Sequence, residues 1–339
     1  MIIHWLLSGY EKSWESENFQ DGGYAYETLA RIILSKFHDL SVSYLYRGNH
    51  NNKIIRLAQF LRYIIRNRTL NFSGNIVIRD LFSTVFAPFN KTNINIILVH
   101  HIHFPKNSNQ GFYKWMEKRF FRNAHKADLI IVVSEYWKRI LEERGCTNVK
   151  VVYNSFDLRR FHFNKSELLD LKERLDIADD LPLIYLGNAR PEKGYVEAYE
   201  ALKSIKAEFI TTGRTKIDHP IRHVYLSYRD YLMLLNISTV AVMMSKFDEG
   251  WCRNAHETML CGTPVIGSGR GGMEELLVKG GQIVCDDFSN LKASVLDLLN
   301  DGNKRTEMSK RGREFAQEFS LEYFEKSWLS LIREIKYIK

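Results

Sequence analysis

The chain has 339 residues, 45% hydrophobic and 26% charged, a globular composition with material enough for two ordinary cores. Four cysteines (Cys146, Cys252, Cys261 and Cys285) show no paired CxxC spacing, which argues against a disulfide framework or a zinc ribbon and fits a reducing compartment. The net charge of +8 is lopsided: residues 1–160 hold 23 Lys/Arg against 13 Asp/Glu, while residues 161–339 hold 25 against 27, so the two halves are expected to meet different partners.

In chain order, apolar runs alternate with amphipathic stretches. Ile2–Leu7, Leu40–Tyr46, Ile76–Ile78, Ile94–His100, Leu129–Val133 and Val149–Val152 read as strands, with helical patterns near 24–37, 53–66, 108–126 and 135–144. The first run is too short to span a membrane and lacks the flanks of a signal peptide; no other stretch has 18 apolar residues in a row. A cytoplasmic protein, peripheral at the inner membrane face, is the expectation. After a Lys/Glu/Asp-rich linker placed within 155–180, the rhythm restarts with Leu183–Leu186, Ala207–Thr211, Val240–Met244, Pro264–Ile266 and Gln282–Val284, and 303–337 reads as two helices. Strand–helix alternation means a parallel sheet with crossover helices. Two series predict an α/β chain of two doubly wound Rossmann-like domains facing an interdomain cleft, with ligands beyond the carboxyl ends of the strands. The boundaries are 1–160 and 161–319, and helix 320–337 is a candidate to pack back onto the first domain.

The densest motif is Glu249-Gly-Trp-Cys-Arg-Asn-Ala-His-Glu257. Read as helical, a spacing of eight puts both carboxylates on one face, about 12 Å apart along the axis. A helix from Arg253 to about Gly262, a short strand to Gly267 and a glycine-rich turn opening another helix follow. His256-Glu257 begins like a zinc-protease motif but Leu260 stands where the second histidine is needed, and no D-x-D occurs in the chain. Gly267-x-Gly269-x-x-Gly272 matches a dinucleotide fingerprint but lacks the acid about twenty residues on. His100, His101 and His103 offer an H-x-H pair with no third metal ligand at suitable spacing.

Residues 249–275, with E-x7-E, then M-L-C-G-T-P-V-I and G-G-x-x-E, resemble glycosyltransferase family 4, retaining enzymes of the GT-B fold. Weaker echoes are Gly22-Gly23, I-V-V-S-E at 131–135, V-V-Y-N-S-F-D at 151–157 and P-E-K-G at 191–194. The resemblance implies an amino-terminal acceptor domain, a carboxy-terminal nucleotide-sugar donor domain and no cofactor or metal. It gives Glu249 to the donor sugar and Glu257 to the ribose. It gives Lys193 and Arg190 to the leaving diphosphate, with Asn188 at the usual arginine position. His101 falls on the acceptor side. Gly22, Gly23, Gly250, Trp251, Cys252, Arg253, Gly271 and Gly272 line the donor, with Cys252 standing where the family commonly has glycine. A nucleotide-sugar epimerase, a phosphorylase and a non-catalytic sugar-nucleotide-binding protein are the alternative readings.

Residues 53–68 carry Lys53, Arg56, Arg62, Arg66 and Arg68 with no acid, among Ile54, Ile55, Leu57, Phe60, Leu61, Ile64 and Ile65, and 112–126 interleave five cations with five aromatics. Basic amphipathic helices suit an anionic membrane surface, or one buried face. No nucleic-acid-binding module is present. A glycan or lipid-linked acceptor and an anionic membrane surface are the expected partners beside the nucleotide sugar.

Overall fold

The apolar runs pair into two parallel sheets in the computed structural model, which describes residues 2–7, 22–44, 52–69, 72, 74–102, 110–213 and 218–336. The chain divides into two compact units. One holds the first strand, Gly23–Tyr153 and the stretch from Phe324; the other holds Asn154–Tyr323.

The first unit has strands β1 (Ile3–Leu7), β2 (Leu40–Tyr44), β3 (Ile76–Arg79), β4 (Ile94–Val99), β5 (Leu129–Val132) and β6 (Val149–Val151) in the order β2-β1-β3-β4-β5-β6. Its crossovers carry α1 (Gly22–Ser35), α2 (Lys53–Thr69), α3 (Leu81–Phe86), α4 (Gln110–Ala124) and α5 (Glu135–Glu143). Because helices cover both faces, β3, β4 and β5 are buried along their whole length and read as near-continuous apolar runs, interrupted only by Arg79 and Asn95, rather than alternating ones. The six-residue α3 is absent from the sequence reading. It is too short to show periodicity and is set by its cap, Asp80, whose carboxylate accepts from the Ser83 N–H at 2.7 Å.

The second unit has β7 (Leu183–Asn188), β8 (Glu208–Thr212), β9 (Arg222–Val224), β10 (Val240–Met243), β11 (Val265–Gly267) and β12 (Ile283–Val284) in the order β12-β11-β10-β7-β8-β9. Its helices are α6 (Lys165–Arg174), α7 (Tyr195–Leu202), α8 (Tyr228–Ile237), α9 (Arg253–Leu260), α10 (Gly272–Lys279), α11 (Phe288–Asn300) and α12 (Gly302–Gln317). The charged stretch read as linker contains α6, opened by a capping box between Asn164 and Glu167. β9 escapes a hydrophobic reading because Arg-His-Val is short, polar and only half-buried. In this sheet the strand order reverses between β10 and β7, and in the first sheet between β1 and β3. Such switch points open a crevice beyond the carboxyl ends of the strands.

The last helix, α13 (Leu321–Lys336), crosses from the second unit and packs in the first. Trp328 is fully buried, with its ring 5.6 Å from that of Trp5 and 6.2 Å from that of Tyr26; Phe324 meets Tyr26 edge-on at 4.8 Å. The Tyr26 hydroxyl in turn donates to the Val152 carbonyl at 3.0 Å, so this aromatic cluster joins α1 to the end of the first sheet. Trp328→Ala should therefore destabilise the first unit by about 3–5 kcal/mol. In denaturant titration followed by hydrogen exchange, amides of β1 lose protection before those of β7.

Candidate active site

The loops leaving β7 and β10 flank the switch point of the second sheet. After β7, a short turn at Pro191–Lys193 is closed by Gly194 in the left-handed conformation, φ 67°. A Cβ there would run into the Met244 carbonyl, so only glycine lets this turn lie against the end of β10. The Lys246 N–H then donates to the Glu192 carbonyl at 2.9 Å and ties the two loops together. This brings Lys193 Nζ to 2.5 Å from Glu249 Oε1, an oxygen that also accepts from the Ser245 hydroxyl. The Glu249 side chain is 8% exposed and that of Lys193 22%, so the pair is largely shielded from solvent screening. Arg190, two residues beyond β7, is exposed; its backbone N–H donates to the Asn188 carbonyl at 2.7 Å, while its guanidinium makes no hydrogen bond or ion pair with any described residue.

Glu249 and Glu257 do not share a helix face. The helix begins only at Arg253, because Cys252 sits at φ 61°, ψ 69°, a left-handed conformation that the helical ladder cannot pass through. Glu249 lies instead on an extended segment that bridges Gly271: its N–H donates to the Arg270 carbonyl at 3.2 Å and its carbonyl accepts from the Gly272 N–H at 2.9 Å. Gly271 has φ 68°, ψ −140°, and a Cβ on it would lie 2.6 Å from the Glu249 nitrogen. The glycine pair 271–272 thus fixes the backbone of Glu249. The left-handed Cys252 gives a reason for glycine at that position in the resembling family. Burial pushes its thiol up to about 12, so it stays protonated and unreactive at neutral pH.

Glu257, on α9, is buried with both oxygens occupied. Oε1 accepts from Tyr228 at 3.0 Å and from Arg253 Nη2 at 3.3 Å, and Oε2 accepts from Tyr231 at 3.1 Å. Burial raises its pKa, opposed by Arg253 and the two hydroxyls. Behind it, the Trp251 indole N–H donates to His256 Nδ1 at 2.9 Å, so Nε2 carries the ring hydrogen and donates it to the Ala316 carbonyl at 3.0 Å. Gly250 and Trp251 are both buried, Trp251 against Phe319.

Gly22 and Gly23 open α1, whose residues from Gly23 on belong to the first unit. A Cβ on Gly23 would come 3.3 Å from the His100 ring. His100 Nε2 lies 3.2 Å from Glu27 Oε1, whose other oxygen accepts from the Trp5 indole at 3.2 Å. His101, the residue singled out from sequence, is exposed beyond β4, and His103 lies outside the described residues. Four polar partners here escaped the sequence reading: Glu27, Ser245, Tyr228 and Tyr231. Glu27 follows the glycine pair by one helical turn, and the tyrosines stand at i, i+3 on α8, a spacing that puts them on one face but names no partner.

Two family models match the chain: glycosyltransferase family 4 over residues 29–160 and glycosyl transferases group 1 over residues 215–315. An uncharacterized glycosyltransferase of Methanocaldococcus jannaschii is 29% identical over 234 residues, 64% of this chain and 61% of that protein. The chain thus spans about three-fifths of the length of that relative. The lipopolysaccharide 1,2-N-acetylglucosaminetransferase of Salmonella typhimurium is 21% identical over 78% of this chain and 72% of its own length. Among solved structures, Anabaena HepE in complex with UDP-glucose superposes with a TM-score of 0.72 at 17% identity, covering 98% of this chain and 100% of HepE.

The buried His256 sets a pH dependence. Burial lowers its pKa from 6.5 to about 3, so between those values the unfolded chain binds a proton that the folded one does not. Stability from this group is complete above pH 6.5 and is lost as pH falls toward 3, by up to about 1.4 kcal/mol per pH unit. Thermal melts across that range should be steeper for the natural chain than for His256→Gln, which keeps an acceptor for Trp251 and a donor for Ala316.

Proposed function

This chain belongs to glycosyltransferase family 4, and we propose that it moves a sugar from a nucleotide-diphosphate sugar to an acceptor hydroxyl with retention of anomeric configuration. The observation that carries the reading is the pair of buried carboxylates at the switch point of the second sheet, each met by a cation: Glu249 by Lys193 and Glu257 by Arg253. Glu249 orients the donor sugar, and Glu257, an acceptor-only group when ionised, takes the vicinal hydroxyls of the ribose. Lys193, with Arg190 on the same loop, offsets the charge that grows on the departing diphosphate; the cations are the protein's own. The amino-terminal backbone of α9 adds N–H donors to the same phosphates. Gly22, Gly23, Gly250, Trp251, Cys252, Gly271 and Gly272 shape the donor surface, and His101 serves the acceptor. As the acceptor oxygen bonds to the anomeric carbon, the bond from that carbon to the phosphate oxygen breaks on the same face. The phosphate takes the hydroxyl proton.

The acceptor we propose is a lipid-linked or envelope glycan, reached from an anionic membrane surface. On α2, Ile54, Leu57, Leu61 and Ile65 recur at i, i+3, i+7 and i+11, one face of the helix, and are 77%, 59%, 51% and 64% exposed. The helix carries five cations and no acid, a charge that complements acidic headgroups. Among the described residues no helix is long and apolar enough to cross a membrane.

Two measurements test these readings. In thermal shift against nucleotides and nucleotide sugars, one base should stabilise the protein, by about 2.7 kcal/mol at 100 times its dissociation constant, and Glu257→Gln or Lys193→Ala should abolish the effect. Stabilisation by NAD(H) or NADP(H) alone would sink the transferase reading. In vesicle co-sedimentation, the protein should bind phosphatidylglycerol-rich but not neutral vesicles, weaken with salt, and lose binding in Leu57→Glu/Leu61→Glu. Equal binding to neutral vesicles, or none, would exclude the membrane surface.

A further inference from the structure

We infer that Arg253 is a further cation for the donor diphosphate, passing from Glu257 to the phosphates when the ribose takes its place on that carboxylate. The inference rests on the donor-site reading above.

Arg253 is the first residue of α9, and its side chain keeps 19% exposure beside the buried Glu257. Its bonds are slack: 3.3 Å to Glu257 Oε1 and 3.4 Å to Asn154 Oδ1, against 2.5 Å for the Lys193–Glu249 pair. Charge-assisted N–H···O bonds normally close to about 2.7–2.9 Å. The remaining support is the Phe156 ring, with the guanidinium carbon 4.3 Å from its centroid.

Glu257 cannot take a ribose without giving something up. A carboxylate offers about four lone-pair sites, and Tyr228, Tyr231 and Arg253 already fill three, two of them on Oε1. Two vicinal hydroxyls need two sites, so one of the three donors must leave; Tyr231 holds Oε2 at 3.1 Å. Tyr228 is held closer, at 3.0 Å, and its ring is backed by the Arg160 guanidinium at 5.7 Å. Arg253 is the longer bond, and its Cα lies in the first turn of α9, where unpaired N–H groups favour a phosphate. In the exchange a ribose hydroxyl replaces the guanidinium on Glu257, which keeps hydrogen-bond donors on both oxygens, and the diphosphate replaces the carboxylate as the anion on Arg253. A planar guanidinium also suits two phosphate oxygens at once, which an ammonium does not.

The test is calorimetric binding of UDP, GDP and ADP and of their nucleosides to the full chain, comparing the diphosphate-to-nucleoside affinity ratio. Arg253→Ala should lower that ratio about tenfold or more while nucleoside affinity changes little. Arg253→Lys should fall between Arg253→Ala and the natural chain; it and Arg253→Gln keep the side-chain stem should the alanine variant not fold. An unchanged ratio, or equal loss of nucleoside and diphosphate binding, would overturn the inference and leave Arg253 a structural partner of Glu257. If the natural chain binds no nucleotide, the donor-site reading itself fails and takes the inference with it.

Discussion

A buried carboxylate must be met by a cation or by hydrogen-bond donors, since its desolvation otherwise costs several kcal/mol. The second unit meets that requirement twice within one helix length. Lys193 and Ser245 serve Glu249; Arg253, Tyr228 and Tyr231 serve Glu257. The five donors come from four elements: the loops after β7 and β10, α8, which supplies both tyrosines, and α9 itself. The electrostatic demand of two side chains therefore dictates the relative placement of four segments, and the hydrophobic core beneath needs only to hold their ends.

That placement is possible because the backbone is bent where side chains would interfere. Gly194 lets the β7 loop touch the end of β10, and Gly271 lets the extended Glu249 segment pair with the turn before α10. Cys252 accomplishes the third bend with a side chain in the left-handed region, at a strain of about 1–2 kcal/mol. The surroundings enforce it: Trp251 on one side is locked to His256, and the α9 ladder begins on the other. His256 stays neutral because burial disfavours its charged form and its Nδ1 already accepts from Trp251, so it acts as a fixed strut and not as a proton carrier.

Much of this was legible from sequence, for identifiable reasons. Long apolar runs gave the strands, because parallel sheets bury both faces and leave a continuous signal. Gly271, Gly272, Lys193 and both glutamates stood out because their spacing resembles a family motif. What stayed hidden depends on long-range or local geometry. β9 is too polar and short to read, and α6 was masked by charge although its capping box, Asn164 with Glu167, was present. The helical reading of 249–257 failed because nothing in the residue type of Cys252 announces positive φ. Tyr228 and Tyr231 could be placed on one face of α8, but only the fold brings that face to Glu257, 26 residues beyond Tyr231. His100, not its exposed neighbour, meets Glu27 for the same reason: alternation beyond β4 fixes which ring turns inward.

The buried charges of the candidate site are paired within the protein itself. Lys193 and Arg253 are both already paired with carboxylates, and Glu257 has donors on both oxygens. A ligand arriving in such a site gains less by simple addition, because bonds to these paired groups replace old ones. Its net affinity comes from the quality of the exchange: closer, better-aligned bonds in place of slack ones, with the conformational entropy already spent in folding. Tightly held pairs such as Lys193–Glu249 then act as the rigid frame, and loosely held ones such as Arg253–Glu257 as the part that can change partners. The same bond lengths that make Arg253 a poor contributor to stability make it the least costly group to move, so in this site weak pairing and mobility toward a ligand are two consequences of one geometry.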